Sequence, residues 1–295
     1  MFEGFETAEI DTGETSIFLR RAGSGPALLL LHGFPQSHVM WKDVAPILAR
    51  RFTVVCADLR GYGRSGCPAS TPDHEPYSKR AMARDMVAVM GKLGFRRFAL
   101  AGHDRGARVA YRLALDHPEC VSHLAVFDIV PTGITWERAD ARFAQTLWPW
   151  SLLAQRAPLP ERFLQAAPDA AVDAFGNRDT VASVFGPQER EAYIEALRDP
   201  VRVHAICEDY RAGATLDCVY DDDDRKSGRR IVCPLLALWA VKGILNKAHN
   251  DIGGPLAIWK NWADNVQGGP LDAGHFFPEE IPDQTADALE RFLSA

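Results

Sequence analysis

The chain has 295 residues, 47% of them hydrophobic and 24% charged, with a formal net charge of −6. That length and apolar share suffice for one large core, or a core with a small insert. The negative balance excludes a surface built to bind nucleic acid or another polyanion, and an anionic small substrate would have to be captured by local positive charge against the net field.

In chain order, residues 1–14 carry acids and no apolar h-region, so no signal peptide is expected. Apolar runs at residues 17–19, 27–31, 52–57, 98–101 and 124–127 read as strands. They are far too short to span a bilayer, so no membrane association is expected. Between the third and fourth runs, Met82, Met86, Val89, Met90 and Leu93 fall on one face at helical spacing, the pattern of a helix packed on a sheet. This alternation predicts an α/β protein with a mainly parallel sheet. The texture changes after Pro131. Residues 132–227 contain no strand-like run of comparable strength and are rich in Trp, Ala, Pro and helix formers. Strand character returns at residues 234–240. The predicted organisation is therefore a first core segment (residues 1–130), an inserted helical cap (131–230) and a second core segment (231–295). The acid run Asp221-Asp222-Asp223-Asp224, followed by Arg225 and Lys226, marks the far edge of the insert. It reads as a solvated loop, since no spaced ligands of a calcium loop accompany it. The cysteines Cys56, Cys67, Cys120, Cys207, Cys218 and Cys233 form no C-x-x-C pair and no zinc-like spacing, which predicts reduced, mostly buried thiols in a cytoplasmic protein.

The run Gly102-His103-Asp104-Arg105-Gly106 follows the strand at 98–101 and opens onto helix-like residues 109–115. This is the layout of the nucleophile elbow of an α/β-hydrolase, with aspartate where serine usually stands. A carboxylate is ionised near pH 7 and attacks a saturated carbon without prior deprotonation. The sequence thus predicts an α/β-hydrolase fold that cleaves bonds at sp³ carbon through an ester on Asp104. Such an enzyme needs a histidine to activate water, an acid to orient it and an oxyanion hole. His275, in Asp272-Ala273-Gly274-His275-Phe276 near the C-terminus, is the candidate base. Asp128, at the end of the strand-like run 125–127, is the candidate orienting acid. The backbone N–H groups of Phe34, in His32-Gly33-Phe34-Pro35, and of Arg105 are the candidate oxyanion donors. Arg105 and Arg108, at i,i+3 on the first turn of the helix, share a face beside Asp104 and form a candidate fork for a substrate carboxylate. The competing role for the pair is structural, in ion pairs with core acids.

These motifs, together with Cys56-Ala57-Asp58-Leu59-Arg60-Gly61-Tyr62-Gly63, Ala114-Leu115-Asp116-His117-Pro118, Asp209-Tyr210-Arg211-Ala212-Gly213 and Gly274-His275-Phe276-Phe277, resemble those of the fluoroacetate (haloacetate) dehalogenases from end to end. The resemblance implies that Arg105 and Arg108 hold the haloacetate carboxylate, that Asp104 displaces halide from the α-carbon, and that His275, oriented by Asp128, activates water to release glycolate. It implies no metal or organic cofactor, and a homodimer. It also implies a halide pocket of His, Trp and Tyr from the cap. Here Trp150 and Tyr210 match, and Pro149 stands where the family has histidine. Proline has neither a side-chain donor nor an N–H, so weakened or absent preference for fluoroacetate, relative to chloro- and bromoacetate, is expected.

Two other readings share the scaffold. An epoxide hydrolase would need two cap tyrosines, Tyr210 with Tyr193 or Tyr220, and the arginine pair argues against a neutral epoxide. A small-molecule receptor would not need the Asp104, His275 and Asp128 set. Larger 2-haloacids are a third possibility within the enzyme class, because cap helix positions set the pocket size.

Overall fold

The computed structural model describes residues 1–176 and 184–294. Eight strands form one sheet: β1 (Glu6–Asp11), β2 (Ser16–Ala22), β3 (Ala27–Leu31), β4 (Thr53–Ala57), β5 (Phe98–His103), β6 (Val121–Phe127), β7 (Leu235–Ala240) and β8 (Val266–Leu271). Their order is β1-β2-β4-β3-β5-β6-β7-β8. β2 is antiparallel to both β1 and β4, and every other neighbour is parallel. β3 shows why: Leu29 and Leu31 enter one apolar cluster, while Leu28 and Leu30 enter the other on the opposite face. A strand buried on both faces reads as a continuous apolar run, which marks a parallel strand covered on both sides by helices. The helix Lys79–Lys92 supplies part of that cover, with Met82, Met86, Val89 and Met90 fully buried. This mainly parallel sheet is the expected α/β-hydrolase architecture.

Two strands escaped the sequence reading. β1 is a polar edge strand, Glu-Thr-Ala-Glu-Ile-Asp, and β8 contains Gly268, Gly269 and Pro270. Edge strands need no second apolar face and tolerate proline and glycine.

Between β6 and β7 the described residues contain helices and no strand. Three of these helices govern the site: Trp148–Leu153, Pro200–Ala214 and Leu216–Ser227. The acid run is not the solvated loop expected from its composition. It lies within the helix Leu216–Ser227, where i,i+3 spacing places Asp221 and Asp224 on one buried face. Both pair with the buried Arg112 of the helix Arg105–Asp116, and Asp221 also accepts from the Tyr111 hydroxyl at 2.9 Å. Asp222 is outside, with Arg225 and Lys226. The run is thus a docking face that ties this helix to the core. All six cysteines are free; Cys56, Cys207 and Cys233 are buried, but Cys67, Cys120 and Cys218 are half-buried, fewer inside than expected. No described helix is long and apolar enough to cross a membrane.

Candidate active site

Asp104 stands between β5 and the helix Arg105–Asp116 with φ 45° and ψ −113°. A non-glycine residue there stores strain, on the order of 1–3 kcal/mol, and persists only when its surroundings dictate it. Close packing does so here. A Cβ on Gly106 would sit 2.4 Å from the His32 carbonyl oxygen, and a Cβ on Gly33 would sit 2.7 Å from Asp104 Cβ. Only glycine lets the loop after β3 and the start of the helix close on the turn. The Phe34 N–H then donates to Asp104 Oδ1 at 3.2 Å. Burial on its own would raise the Asp104 carboxyl, but His275, His103, Arg108 and Arg105 outweigh it and hold the group below the usual carboxylate range.

Asp128, just past β6, is also at positive φ, 53°. Its N–H donates to the Leu238 carbonyl at 2.8 Å, and its Oδ1 accepts the Ala240 N–H at 2.9 Å. The end of β7 therefore fixes the carboxylate. Its Oδ2 lies 2.5 Å from His275 Nδ1, which leaves the other ring nitrogen as the proton acceptor. Asp128 is buried, whereas the His275 side chain is 35% exposed. The imidazole is thus the member of the set that solvent reaches.

Arg105 is completely buried. Its Nε and Nη2 donate to the two carboxylate oxygens of Asp209 at 2.8 and 2.7 Å, and Nη2 also reaches the Asp209 carbonyl. The structural role considered for this arginine is therefore real, but it leaves Nη1 buried without a hydrogen-bond partner. Arg108 Nη1 donates to the Val130 carbonyl at 3.0 Å and to Thr132 Oγ1 at 3.1 Å, and its Nε is likewise buried and unpartnered. Burial lowers the Arg108 pKa, and Arg105 beside it adds to the effect against the pull of Asp104.

Trp150 and Tyr210 join the arginines. The Tyr210 ring lies 4.1 Å from the Arg105 guanidinium carbon, and the Trp150 ring 4.4 Å from that of Arg108. Phe34 meets the Tyr210 ring edge-on. Pro149 is buried in the first turn of the helix Trp148–Leu153, where a missing N–H costs nothing. The other tyrosines between β6 and β7 that the epoxide reading needs are engaged elsewhere. The Tyr193 hydroxyl donates to Glu279 at 2.8 Å, and Tyr220 stacks under Arg80. The Trp136 indole N–H donates to the Gly213 carbonyl, a packing role.

Sequence reasoning missed the acids behind the site. Asp209 receives Arg105, Lys79 and the Tyr62 hydroxyl. Burial would raise it, but Arg105 and Lys79 hold it far below the usual range. It was visible only as a member of the Asp209-Tyr210-Arg211 run, with no signal of its partners. Glu279 was not visible either. It bonds Gln36, which lies 3.2 Å from His103 Nδ1, and His103 Nε2 reaches the His275 carbonyl at 2.8 Å. Among the described residues no group of three or more His, Cys, Asp or Glu side chains is arranged to hold a metal ion.

A family model for the alpha/beta hydrolase fold matches residues 26–184. A fluoroacetate dehalogenase from Burkholderia sp is 46% identical over 296 aligned positions, covering 100% of this chain and 95% of that protein. The chain belongs to the fluoroacetate dehalogenase family of α/β hydrolases. An α/β hydrolase structure from Nostoc sp PCC 7120 shares 47% identity with a TM-score of 0.93, covering 99% of each chain. A Pseudomonas aeruginosa protein described as an epoxide hydrolase, in a variant form with bound MFA, shares 44% identity with a TM-score of 0.92, covering 100% of this chain and 97% of that one. A soluble epoxide hydrolase from Corynebacterium sp. (strain C12) is 29% identical, with 92% of each chain covered.

Proposed function

We propose that this protein is a hydrolytic dehalogenase of haloacetates, acting through an ester on Asp104. The observation that carries the substrate class is the pair of buried, unpartnered guanidinium N–H groups, Arg105 Nη1 and Arg108 Nε, on the residues that follow Asp104. A buried donor without an acceptor is costly, and a carboxylate supplies two acceptor oxygens. A neutral epoxide supplies none of that charge. The epoxide reading also lacks its second tyrosine, since Tyr193 donates to Glu279 and Tyr220 stacks on Arg80.

In this reading Arg105 and Arg108 grip the substrate carboxylate, and Asp104 Oδ2 attacks the α-carbon in line with the carbon–halogen bond. The electron pair of that bond leaves with the halide, between Trp150 and Tyr210. Asp104 Oδ1, already held by the Phe34 N–H, becomes the ester carbonyl oxygen. His275 then takes a proton from water, and Asp128 stabilises the resulting imidazolium. The hydroxide adds to the ester carbon, and the N–H groups of Phe34 and Arg105 stabilise the oxyanion. Collapse expels the glycolate oxygen, which takes the proton of the newly formed Asp104 carboxylic acid, so that glycolate leaves and the Asp104 carboxylate returns, and the His275 imidazolium releases its proton to solvent. No metal or organic cofactor enters these steps. Residues 131–230 act as the cap that closes the pocket. The free cysteines fit a reducing, cytoplasmic setting, and a homodimer is the expected assembly.

Pro149 bears on the halide. Fluoride is small and strongly hydrated, and its departure depends on hydrogen bonds that replace water. Chloride and bromide depend on them less. The enzyme is therefore assigned to chloro- and bromoacetate ahead of fluoroacetate. Halide release from matched fluoro-, chloro- and bromoacetate tests this, with Asp104→Asn as the inactive control. Absence of halide release from all three, with turnover of styrene oxide, would overturn the assignment.

A further inference from the structure

We infer that Glu280 is a positioning residue for His275, clamping the peptide units on both sides of the imidazole so that it is aimed at the ester. Its Oε2 accepts the Gly274 N–H at 2.7 Å and its Oε1 accepts the Phe276 N–H at 3.1 Å. The two bonds straddle His275. The carbonyl of His275 itself is held by His103 Nε2 at 2.8 Å. Burial and the nearby His275 push the His103 pKa down to about 4, so the ring is neutral and can carry its single proton on Nε2 toward that carbonyl. The backbone of one residue is therefore fixed from three sides. An acid in the first turn of the short helix Phe277–Glu280 has an ordinary explanation as a helix-capping group. That explanation covers the bond to Phe276 but not the one to Gly274. A Cβ at Gly274 would lie 2.7 Å from Glu280 Oε1 and 3.0 Å from Oε2, so a side chain there would push the carboxylate aside.

The inference rests on the reading of Asp104 as nucleophile and His275 as base, and it makes a claim specific to half of the reaction. Halide displacement uses Asp104 and the arginines. Only ester hydrolysis uses His275. Loosening the clamp slows the second half alone, and a misplacement of about 1 Å costs on the order of a hundredfold. The test compares wild type, Glu280→Gln, Glu280→Ala and Gly274→Ala with chloroacetate, reading the halide burst, steady-state kinetics, intact-protein mass and the thermal midpoint. Gln keeps one acceptor and turns an NH2 toward a backbone N–H. Gly274→Ala displaces the carboxylate while leaving Glu280 in the chain, and so carries the test if Glu280→Ala does not fold. The expected result is a burst of one halide per subunit at near the wild-type rate. After it, turnover slowed by about ten- to a hundredfold is expected, with kcat and KM falling together, and a covalent adduct accumulates on Asp104. A fall in kcat/KM without adduct means general loosening and overturns the inference, as does unchanged turnover. His275→Ala separates the layers. If it accumulates adduct and the clamp variants do not, the inference fails alone; if it too forms none, the underlying catalytic reading fails.

Discussion

Arg108→Met and Arg105→Met are expected to part company in a way the geometry dictates. Arg108 rests on neutral partners, the Val130 carbonyl and Thr132 Oγ1, and Thr132 Oγ1 keeps the Tyr111 hydroxyl when the arginine goes. The substitution strands one buried carbonyl, at a cost of about 1–3 kcal/mol. It also removes one charge-assisted contact to the substrate carboxylate, worth about 1.5–3 kcal/mol, or about ten- to over a hundredfold in kcat/KM. Arg105 rests on Asp209, an acid with no exposure to solvent. Its removal leaves that carboxylate with Lys79 and the Tyr62 hydroxyl only. Breaking a buried ion pair costs about 3–5 kcal/mol, with the remaining partners pulling the loss toward the lower figure. Arg105→Met therefore loses both activity and several degrees of thermal midpoint, while Arg108→Met loses activity with a smaller stability change. The assay is halide release from chloroacetate and from its neutral analogue chloroacetamide, beside thermal unfolding. The discrimination between the two substrates should narrow in Arg108→Met by about that same ten- to over a hundredfold factor. Equal fractional losses on both substrates would refute the carboxylate fork.

Three further outcomes follow from the site. Pro149→His should raise the ratio of fluoroacetate to chloroacetate turnover by about ten- to a hundredfold, the worth of one charge-assisted donor, read as fluoride and chloride release; an unchanged ratio would remove Pro149 from the account of halide preference. Asp128→Asn should keep the fold but place an amide N–H against the His275 ring, so that ester hydrolysis slows by orders of magnitude and the Asp104 adduct becomes visible by mass spectrometry; undiminished turnover would exclude Asp128 as the orienting acid. Glu279 gives a stability prediction with a definite sign. Burial and the nearby Glu189 push its carboxyl up to about 8, against the hydrogen bonds of Tyr193 and Gln36 and the charge of Lys42, from an ordinary 4.5. The folded chain keeps a proton that the unfolded chain releases, so this contribution is present below pH 4.5 and is lost as pH rises through about 8, with a ceiling near 1.4 kcal/mol per unit. Glu279→Gln should flatten the fall in stability between pH 5 and 8, measured by urea unfolding, and a slope identical to wild type would contradict the buried proton.

How much of this was legible in the sequence depended on whether a local pattern carried the constraint. The elbow was legible because its geometry needs small residues at fixed offsets, and Gly106 packs against the His32 carbonyl as that geometry requires. The buried strands were legible because they are apolar on both faces, as β3 is. β1 and β8 were not, since edge strands are exempt from that rule. The acid run was misjudged for a related reason. Composition describes a segment on average, whereas a helix sorts its residues by face, and two of those four acids turn inward to Arg112. Asp209 was illegible in a deeper sense. It lies 104 positions from Arg105, and nothing local distinguishes an acid that neutralises a buried arginine from one on a solvated face.

That hidden acid bears on the electrostatics of the proposed reaction. Around Asp104 the buried side chains of Arg105, Arg108 and Lys79 face the buried acids Asp104, Asp128 and Asp209, while burial pushes the Asp217 carboxyl beside Lys79 up from its ordinary value. In the proposed mechanism Asp104 loses its charge as it becomes an ester and the halide gains one, so the total is unchanged and a negative charge moves across the site. Asp209 fixes Arg105 beforehand through Nε and Nη2. A guanidinium held in place before the reaction stabilises the displaced charge with no reorganisation at the moment it develops. Asp209 keeps the same charge in the ground and transition states, so its contribution is to orient Arg105 rather than to add or withdraw attraction along the reaction path.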